Sequence, residues 1–400
     1  MLIGIVGKPN VGKSTFFKAI TLADVEIANY PFATIKPNSG VAYVKIKDVA
    51  KEFNKAANPR EGYIQGDFRF VPIQVIDVAG LVPGASEGKG MGNQFLDDLR
   101  QADALIHVID ISGSTNEKGE SIEPGSYDPR EDIKFLAVEL DLWYLGILNK
   151  GWTRFARQIQ QEKAKIEVAL AKQLSGLKVT EEHIEKAIKK LGLNKEQPQK
   201  WTETDLHALA TDLRKQTKPM IIAANKFDTP SGKENFSKIK SEFPSLPLIP
   251  VSAESELALR EAAKASLIEY IPQEKSFNIL NSESLSDRQR NALQFIKEKV
   301  MDANGFGTGV QEVLNIAIFS LLDMIAVHPG GASKLEDKDG NTLPDCFLMP
   351  KGTTALEFAY KLHTDLGKNF IRAIDVHTKK TVGKEHVLKH LDIIEIVAGR

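Results

Sequence analysis

Apolar positions in the first quarter of the chain alternate between two periods. Leu2–Val6 is a short apolar run closed by Gly7, and the stretch from Lys13 to about Thr21 has helical spacing. Further strands are expected at Val41–Ile46, Val71–Ile76 and Ala104–Ile109, with a helix over Gly92–Ala102 between the last two. Near-continuous apolar strands alternating with helices predict a parallel sheet covered on both faces. The pattern then stops. Asn116–Arg130 is polar and rich in Gly and Pro, which predicts a loop, and Ile133–Leu148, Phe155–Leu174 and Thr180–Leu191 have amphipathic helical spacing. Thr180, followed by Glu181, Glu182 and His183, reads as an N-cap with an acidic first turn. The α/β rhythm returns at Pro219–Ala224, at Leu248–Val251 and in a helix over Glu256–Tyr270.

This pattern predicts one α/β domain over residues 1–110 and 218–272, interrupted by a helical insertion over 111–217. A helical linker over 273–326 follows, with helices at Asp287–Asp302 and Val310–Ala326 separated by the glycine-rich turn Gly305–Gly309. Residues 327–400 change character again and have the size of a small domain. Strands are expected there at Thr342–Leu348, Ile371–His377 and Asp392–Val397, with a helix over Thr354–Thr364.

Composition narrows the class. Of 400 residues 42% are hydrophobic and 26% charged, which excludes a mostly disordered chain. With 52 basic and 53 acidic side chains, a polyanionic partner would have to use a local patch. One cysteine, Cys346, allows neither an internal disulfide nor a multi-cysteine metal site and suits a reducing compartment. The first residues lack the basic lead-in of a signal peptide, and Leu314–Val327 is interrupted by Asn315, Ser320 and Asp323, so a core helix rather than a membrane span is expected. The expected location is cytoplasmic, with no membrane partner.

Candidate chemistry sits at the strand ends. Gly7-Lys8-Pro9-Asn10-Val11-Gly12-Lys13-Ser14, with Thr15 after it, fits G-x-x-x-x-G-K-[ST] between a strand and a helix. Glycines let the backbone N–H groups curl around a phosphate, and the helix N-terminus adds partial positive charge. Lys13 is expected on the β- and γ-phosphates and Ser14 on Mg²⁺. Asp77-Val78-Ala79-Gly80 follows a strand. Its carboxylate can hold Mg²⁺ through water, and the Gly80 N–H can touch a γ-phosphate. Thr34, in Asn29–Thr34, is the candidate hydroxyl that reaches Mg²⁺ only when a γ-phosphate is present. Asp110, after the next strand, is assigned no ligand role. Asn225-Lys226-Phe227-Asp228 ends a further strand. Asp228 can accept from guanine N1–H and N2–H₂, donors that adenine lacks, while the Lys226 stem covers the ring and Asn225 ties this loop to the phosphate loop. Ser252-Ala253 is expected to supply a backbone N–H to guanine O6. Ligands of doubly wound sheets bind at these strand ends.

These motifs carry a family resemblance. GKPNVGKS, NYPFATIKPNSG and DVAGLVPGASEGKGMGNQFLDDLRQAD resemble translation-factor-class GTPases of the Obg/YchF group, closest to archaeal YchF-like members. Pro350–His386 resembles a TGS domain, a small β-grasp module. The resemblance implies a P-loop NTPase sheet with a helical insertion followed by that module. Many YchF proteins lack the final Asp of N-K-x-D and are implied to prefer ATP. This chain keeps Asp228, so GTP is expected. Leu81 stands where many GTPases place a water-orienting Gln, and the resemblance is to members with a hydrophobic residue there. Such proteins often carry a phosphate-loop Asn as a K⁺ ligand, a pattern Asn10 matches.

The expected reaction is slow hydrolysis of GTP to GDP and phosphate, with Lys13, Thr34 and Gly80 in the catalytic set. The expected role is a switch near ribosomes or RNA. Residues 150–200 hold 12 Lys and Arg against 6 Glu, including Lys150, Arg154, Arg157, Lys163 and Lys165, a patch able to meet RNA phosphates. By composition alone a solvated helix face explains the same charges. Two rivals stay open: a nucleotide-gated RNA- or ribosome-binding adaptor with negligible hydrolysis, and an ATPase.

Overall fold

The structure, a computed structural model, describes residues 1–22, 38–78, 99–302, 307–337 and 339–399. Its largest sheet collects β1 (Leu2–Val6), β2 (Ser39–Lys47), β3 (Tyr63–Gln65), β4 (Phe68–Asp77), β5 (Ala104–Asp110), β6 (Met220–Asn225) and β7 (Leu248–Pro250) in the order β2-β4-β1-β5-β6-β7, with β3 also on β4. The strands from β4 to β7 pair in parallel. At the other edge β2 and β3 both run antiparallel to β4, so the expectation of a wholly parallel sheet is corrected there. These three strands follow one another without a crossover helix, and a parallel pair requires one.

Helices cover both faces. On one lie α1 (Lys13–Thr21) and parts of the chain after residue 250, packed over Ile3, Ile5, Val44, Val75, Ile106 and Ile221. On the other, Val6, Ile76 and Leu105 share a core with the helices between β5 and β6. These are α2 (Arg130–Asn149), α3 (Trp152–Glu162), α4 (Ile166–Gln173), α5 (Glu181–Leu191) and α6 (Glu203–Thr217). The insertion is thus continuous with the sheet through buried apolar contact. Thr180 accepts from the His183 N–H at the head of α5, the N-cap its sequence predicts. The expected helix over Phe155–Leu174 is two helices, broken where Lys163 takes φ 51°. Helix α6 is an addition to the elements expected above: Thr202 and Asp205 form a capping box ahead of periodic Leu206, Leu209 and Leu213.

Helix α7 (Pro230–Glu242) was also unanticipated, although Thr229 caps it and Pro230 opens it. α8 (Ala253–Lys264) ends six residues before Tyr270. Ser266 turns at φ 55°, and β8 (Ile268–Glu269) pairs with β9 (Asn278–Ile279). After α9 (Asp287–Phe295) and α10 (Val310–Asn315), whose wide turns continue to Leu321, the helix expected to reach Ala326 is replaced by β10 (Met324–Pro329). Asp323, at φ 48°, ends the helix and lets Met324–Pro329 pair on both sides. The C-terminal sheet has the order β11-β10-β14-β12-β13, from β11 (Phe347–Pro350), β12 (Phe370–Asp375), β13 (Lys380–Val382) and β14 (Ile393–Ala398). Its buried face packs on α11 (Ala355–Leu362) through Ala355 and Phe358, beside α12 (Thr364–Lys368). The Thr342–Leu348 strand therefore starts later than expected, at Phe347. The Arg69 guanidinium, almost fully buried, crosses from β4 to the Leu343 and Pro344 carbonyls at 2.6 and 2.8 Å and ties the large sheet to the segment that leads into β11. No helix among the described residues is long and apolar enough to cross a membrane.

Lys218, buried between α6 and β6, donates to the Arg100 and Ala102 carbonyls at 3.1 and 2.5 Å. Burial, with a smaller push from Lys178, pulls its pKa down from 10.5 to about 8. Lys218→Met removes the donor to both carbonyls and is expected to cost about 2–4 kcal/mol, read from thermal unfolding. The unfolded chain binds more protons at this group than the folded one between about pH 8 and 10.5. Stability of the wild type relative to Lys218→Met therefore rises with pH across that window. A flat difference would contradict the assignment.

Candidate functional site

The loop from Gly7 to Gly12 joins the C-terminal end of β1 to the N-terminus of α1. The first turn of α1 has no acidic residue and Gly12 provides no side-chain cap, so its orphan N–H groups and dipole stay available for an anion. Gly12 has φ 89°, and a Cβ there would lie 2.2 Å from the Asn225 amide nitrogen. Only glycine fits. Lys13 pairs with Asp77, which places the expected phosphate-binding amine and Mg²⁺ carboxylate side by side. Ser14 is exposed at the start of α1. A serine hydroxyl and one carboxylate are hard oxygen donors, a set that suits Mg²⁺ shared with phosphate oxygens better than an all-protein cage. No cluster of three or more His, Cys, Asp or Glu able to hold a metal occurs among the described residues. Thr34, Gly80 and Leu81 lie outside the described residues.

Asn225, at the end of β6, is 4% exposed and joins three loops. Its Nδ2 donates to the Val11 carbonyl at 2.8 Å, and its Oδ1 accepts from the Ala253 N–H at 3.0 Å. Asp228 is half-buried and makes no hydrogen bond or ion pair among the described residues, so its carboxylate is open to a ligand. Lys226 takes φ 62° and its ammonium is anchored on Asp110 at 2.9 Å and Ser114 at 3.1 Å. Asp110, expected to hold no ligand, is the brace for Lys226. Burial alone would push its carboxyl up, but hydrogen bonds from Ser112, Lys226 and Ser114 outweigh it and hold it below the ordinary aspartate value. The signal was present as D-x-S-x-S, Asp110 to Ser114, directly after β5.

Two expectations change. The Ser252 and Ala253 N–H groups do not face a base carbonyl. Ser252 donates to the Thr308 carbonyl at 2.9 Å and Ala253 to Asn225. The Asn225 amide needs a donor on its oxygen, and the turn at Gly307–Gly309 brings Thr308 onto the loop. Lys8, expected among the phosphate contacts, turns its side chain away. It is 6% exposed and bonded to Asp132 and the Thr115 carbonyl. Pro9 and Asn10 are exposed, and Asn10 donates through Nδ2 to the Gly119 carbonyl at 2.9 Å. Its oxygen end, the expected K⁺ ligand, has no partner among the described residues. In the insertion, Lys150, Arg154, Arg157, Lys163 and Lys165 are all exposed, but they do not share one helix: only Arg154 and Arg157 lie in α3, whose buried side is Trp152, Ala156 and Ile159, while Lys150 follows α2, Lys163 ends α3 and Lys165 precedes α4.

Comparison with known proteins finds relatives along the whole chain. Residues 2–139 match the model of the 50S ribosome-binding GTPase family, residues 223–330 that of the Obg-like GTPase YGR210-like G4 motif-containing domain, and residues 338–398 the TGS domain. The chain is 51% identical to a GTP-binding protein of Methanocaldococcus jannaschii, over 100% of this chain and 99% of that one. It is 32% identical to the ribosome-binding ATPase YchF of Bacillus subtilis, over 92% of this chain and 87% of the relative. The crystal structure of a GTP-binding protein from Pyrococcus horikoshii superposes with a TM-score of 0.80 at 42% identity, covering 100% of both chains.

Asn225→Ala removes both bridging bonds and leaves the Val11 carbonyl and Ala253 N–H unpaired. The expected cost is about 2–4 kcal/mol in thermal unfolding, with binding of a fluorescent guanosine diphosphate weakened at least about tenfold. Unchanged binding would mean the three loops do not form one site.

Proposed function

Because this chain belongs to the YchF/Obg-like GTPase family, we propose that it binds guanine nucleotides between the phosphate loop and the Asn225–Asp228 loop and hydrolyses GTP slowly to GDP and phosphate. The observation that carries the reading is Asn225 lashing the phosphate loop to the base loop beside an unpartnered, half-buried Asp228. A carboxylate there meets two guanine donors and would be left facing an acceptor by adenine, a mismatch of about 1–3 kcal/mol per unpaired group. The relatives from M. jannaschii and P. horikoshii are named for GTP binding, whereas the B. subtilis relative is named an ATPase. Asp228 is the reason for placing this chain with the former. The Glu254 N–H, the next orphan donor at the head of α8, is left for guanine O6.

In the mechanism, Lys13 exchanges Asp77 for the β- and γ-phosphate oxygens and holds them in line for attack. Backbone N–H groups of the loop and of the first turn of α1 stabilise charge that builds on the β–γ bridge. Mg²⁺, held by Ser14 and Asp77 and reached by Thr34, would supply further charge neutralisation. K⁺ on the Asn10 oxygen would do the same beside the bridge, in place of an arginine finger. Leu81 cannot orient water, so the attacking water must be oriented by another group, and turnover without a partner is slow. The site chemistry and the exposed basic side chains of the insertion support a switch that engages ribosomes or RNA in the cytoplasm. The B. subtilis relative is named for ribosome binding.

Two measurements test this reading. Asp228→Asn turns an acceptor into a donor and is expected to move preference from guanine to xanthine nucleotides by at least about tenfold in a competition assay. Retained GTP selectivity, or wild-type binding of ATP as tight as of GTP, would sink the base assignment. Turnover is expected to be severalfold faster in KCl than in NaCl at matched ionic strength. Equal rates would remove K⁺ from the mechanism.

A further inference from the structure

One stretch of chain, from Asp110 through Gly119 to Asp132, touches both nucleotide loops. Asp110 and Ser114 hold Lys226 of the base loop. The Gly119 carbonyl holds Asn10. Gly119 sits at φ 80° against Pro9, so close that a Cβ would lie 2.7 Å from the Pro9 oxygen. The strongest tie is at Lys8. Its ammonium lies 2.9 and 2.8 Å from the two Asp132 oxygens, 3.0 Å from the Thr115 carbonyl and 3.9 Å from the Tyr127 ring centre. Tyr127 also donates to Asp132 at 3.0 Å. The side chains of Lys8 and Asp132 are only 5% and 7% exposed.

Such a pair contributes little net stability, because desolvation offsets its attraction, but loss of one partner strands a buried charge. Its value here is positional. Lys8 adjoins the residues whose N–H groups must converge on phosphate, and a cradle binds tightly only if its shape is held in advance. The other end of the tie belongs to the insertion. Asp132 stands in the first turn of α2, and the same helix continues into the insertion core through Leu136, Leu140, Tyr144 and Leu148. It is locked to α6 by Asp141 on Arg214 at 2.7 Å and by Tyr144 on Thr217 at 2.8 Å. A displacement of α2 therefore moves Asp132 directly.

We infer that Lys8 and Asp132 are positioning residues that keep the phosphate loop in its nucleotide-retaining shape. Through them the helical insertion sets how long a nucleotide stays bound. A macromolecule docking on the insertion would act on the nucleotide by this route, with no contact to it. The inference rests on the reading of Gly7–Ser14 as a nucleotide site, and its test keeps the two apart.

The experiment is stopped-flow release of mant-GDP from the full chain, chased with excess GDP, beside thermal melting of every variant. Asp132→Asn and Lys8→Met are expected to release mant-GDP at least about tenfold faster, with association changed by less than about threefold. K8M/D132L replaces the buried pair with apolar groups of similar size, which commonly leaves stability intact. It is expected to melt like the wild type yet release nucleotide as fast as the single variants. Gly119→Ala leaves the ion pair whole, presses on Pro9 and is also expected to speed release. Preference for guanine over xanthine, set by Asp228, should not move in any of them, whereas general loosening of the fold would erode it. Release within about twofold of the wild type in folded K8M/D132L and Gly119→Ala overturns the inference. A wild-type chain that takes up no mant-GDP overturns the nucleotide reading with it.

Discussion

A single carboxamide holds the candidate site together. Asn225 has one donor end and one acceptor end, and it spends the first on the phosphate loop and the second on the loop that opens α8. Three loops from three different strands are thereby set in a common frame. The constraint works in both directions, since Asn225 approaches Gly12 so closely that any side chain there would expel it. The parallel order β1-β5-β6-β7 makes this possible, because it brings the C-terminal ends of those strands to one edge of the sheet.

Around that frame the molecule adds a second layer of polar ties that do not meet a ligand. Asp110 fixes Lys226, Thr308 occupies the Ser252 N–H, and Asp132 draws Lys8 inward. The last two take groups that motif matching assigns to the nucleotide and give them to the protein, while the first braces a side chain whose stem stays free for the base. In a low-dielectric interior these bonds are costly to leave unmade, so they set loop positions sharply. They also connect the site to two parts of the chain far away in sequence, the helical insertion and the segment before α10.

Most of the candidate site was legible from residue order alone, for a physical reason. A phosphate needs convergent N–H groups, a guanine edge needs an acceptor, and each requirement falls on a few consecutive residues at a strand end. Gly12, Lys13 and Asp77 lie together as those local requirements demand. What was not legible depended on partners distant in sequence. Nothing near Lys8 announces Asp132, 124 residues later. The N–H of Ser252 looks available until Thr308 arrives from 56 positions further on. Periodicity failed in a similar way at Met324–Pro329, where an apolar run that suits a helix became a strand because two neighbouring strands offered hydrogen bonds on both sides.

By itself the sequence determined the family, the P-loop class of the sheet, the C-terminal TGS module and the chemical types gathered at the strand ends. Short-range backbone geometry and side-chain chemistry encode all of these. The tertiary structure alone decided which of those groups are open to a ligand and which are already bound to protein. It also decided that the insertion shares a core with the sheet and reaches the phosphate loop through a buried ion pair. Such pairings are set by burial and by the competition of distant groups for the same donor or acceptor, and these exist only once the chain has folded.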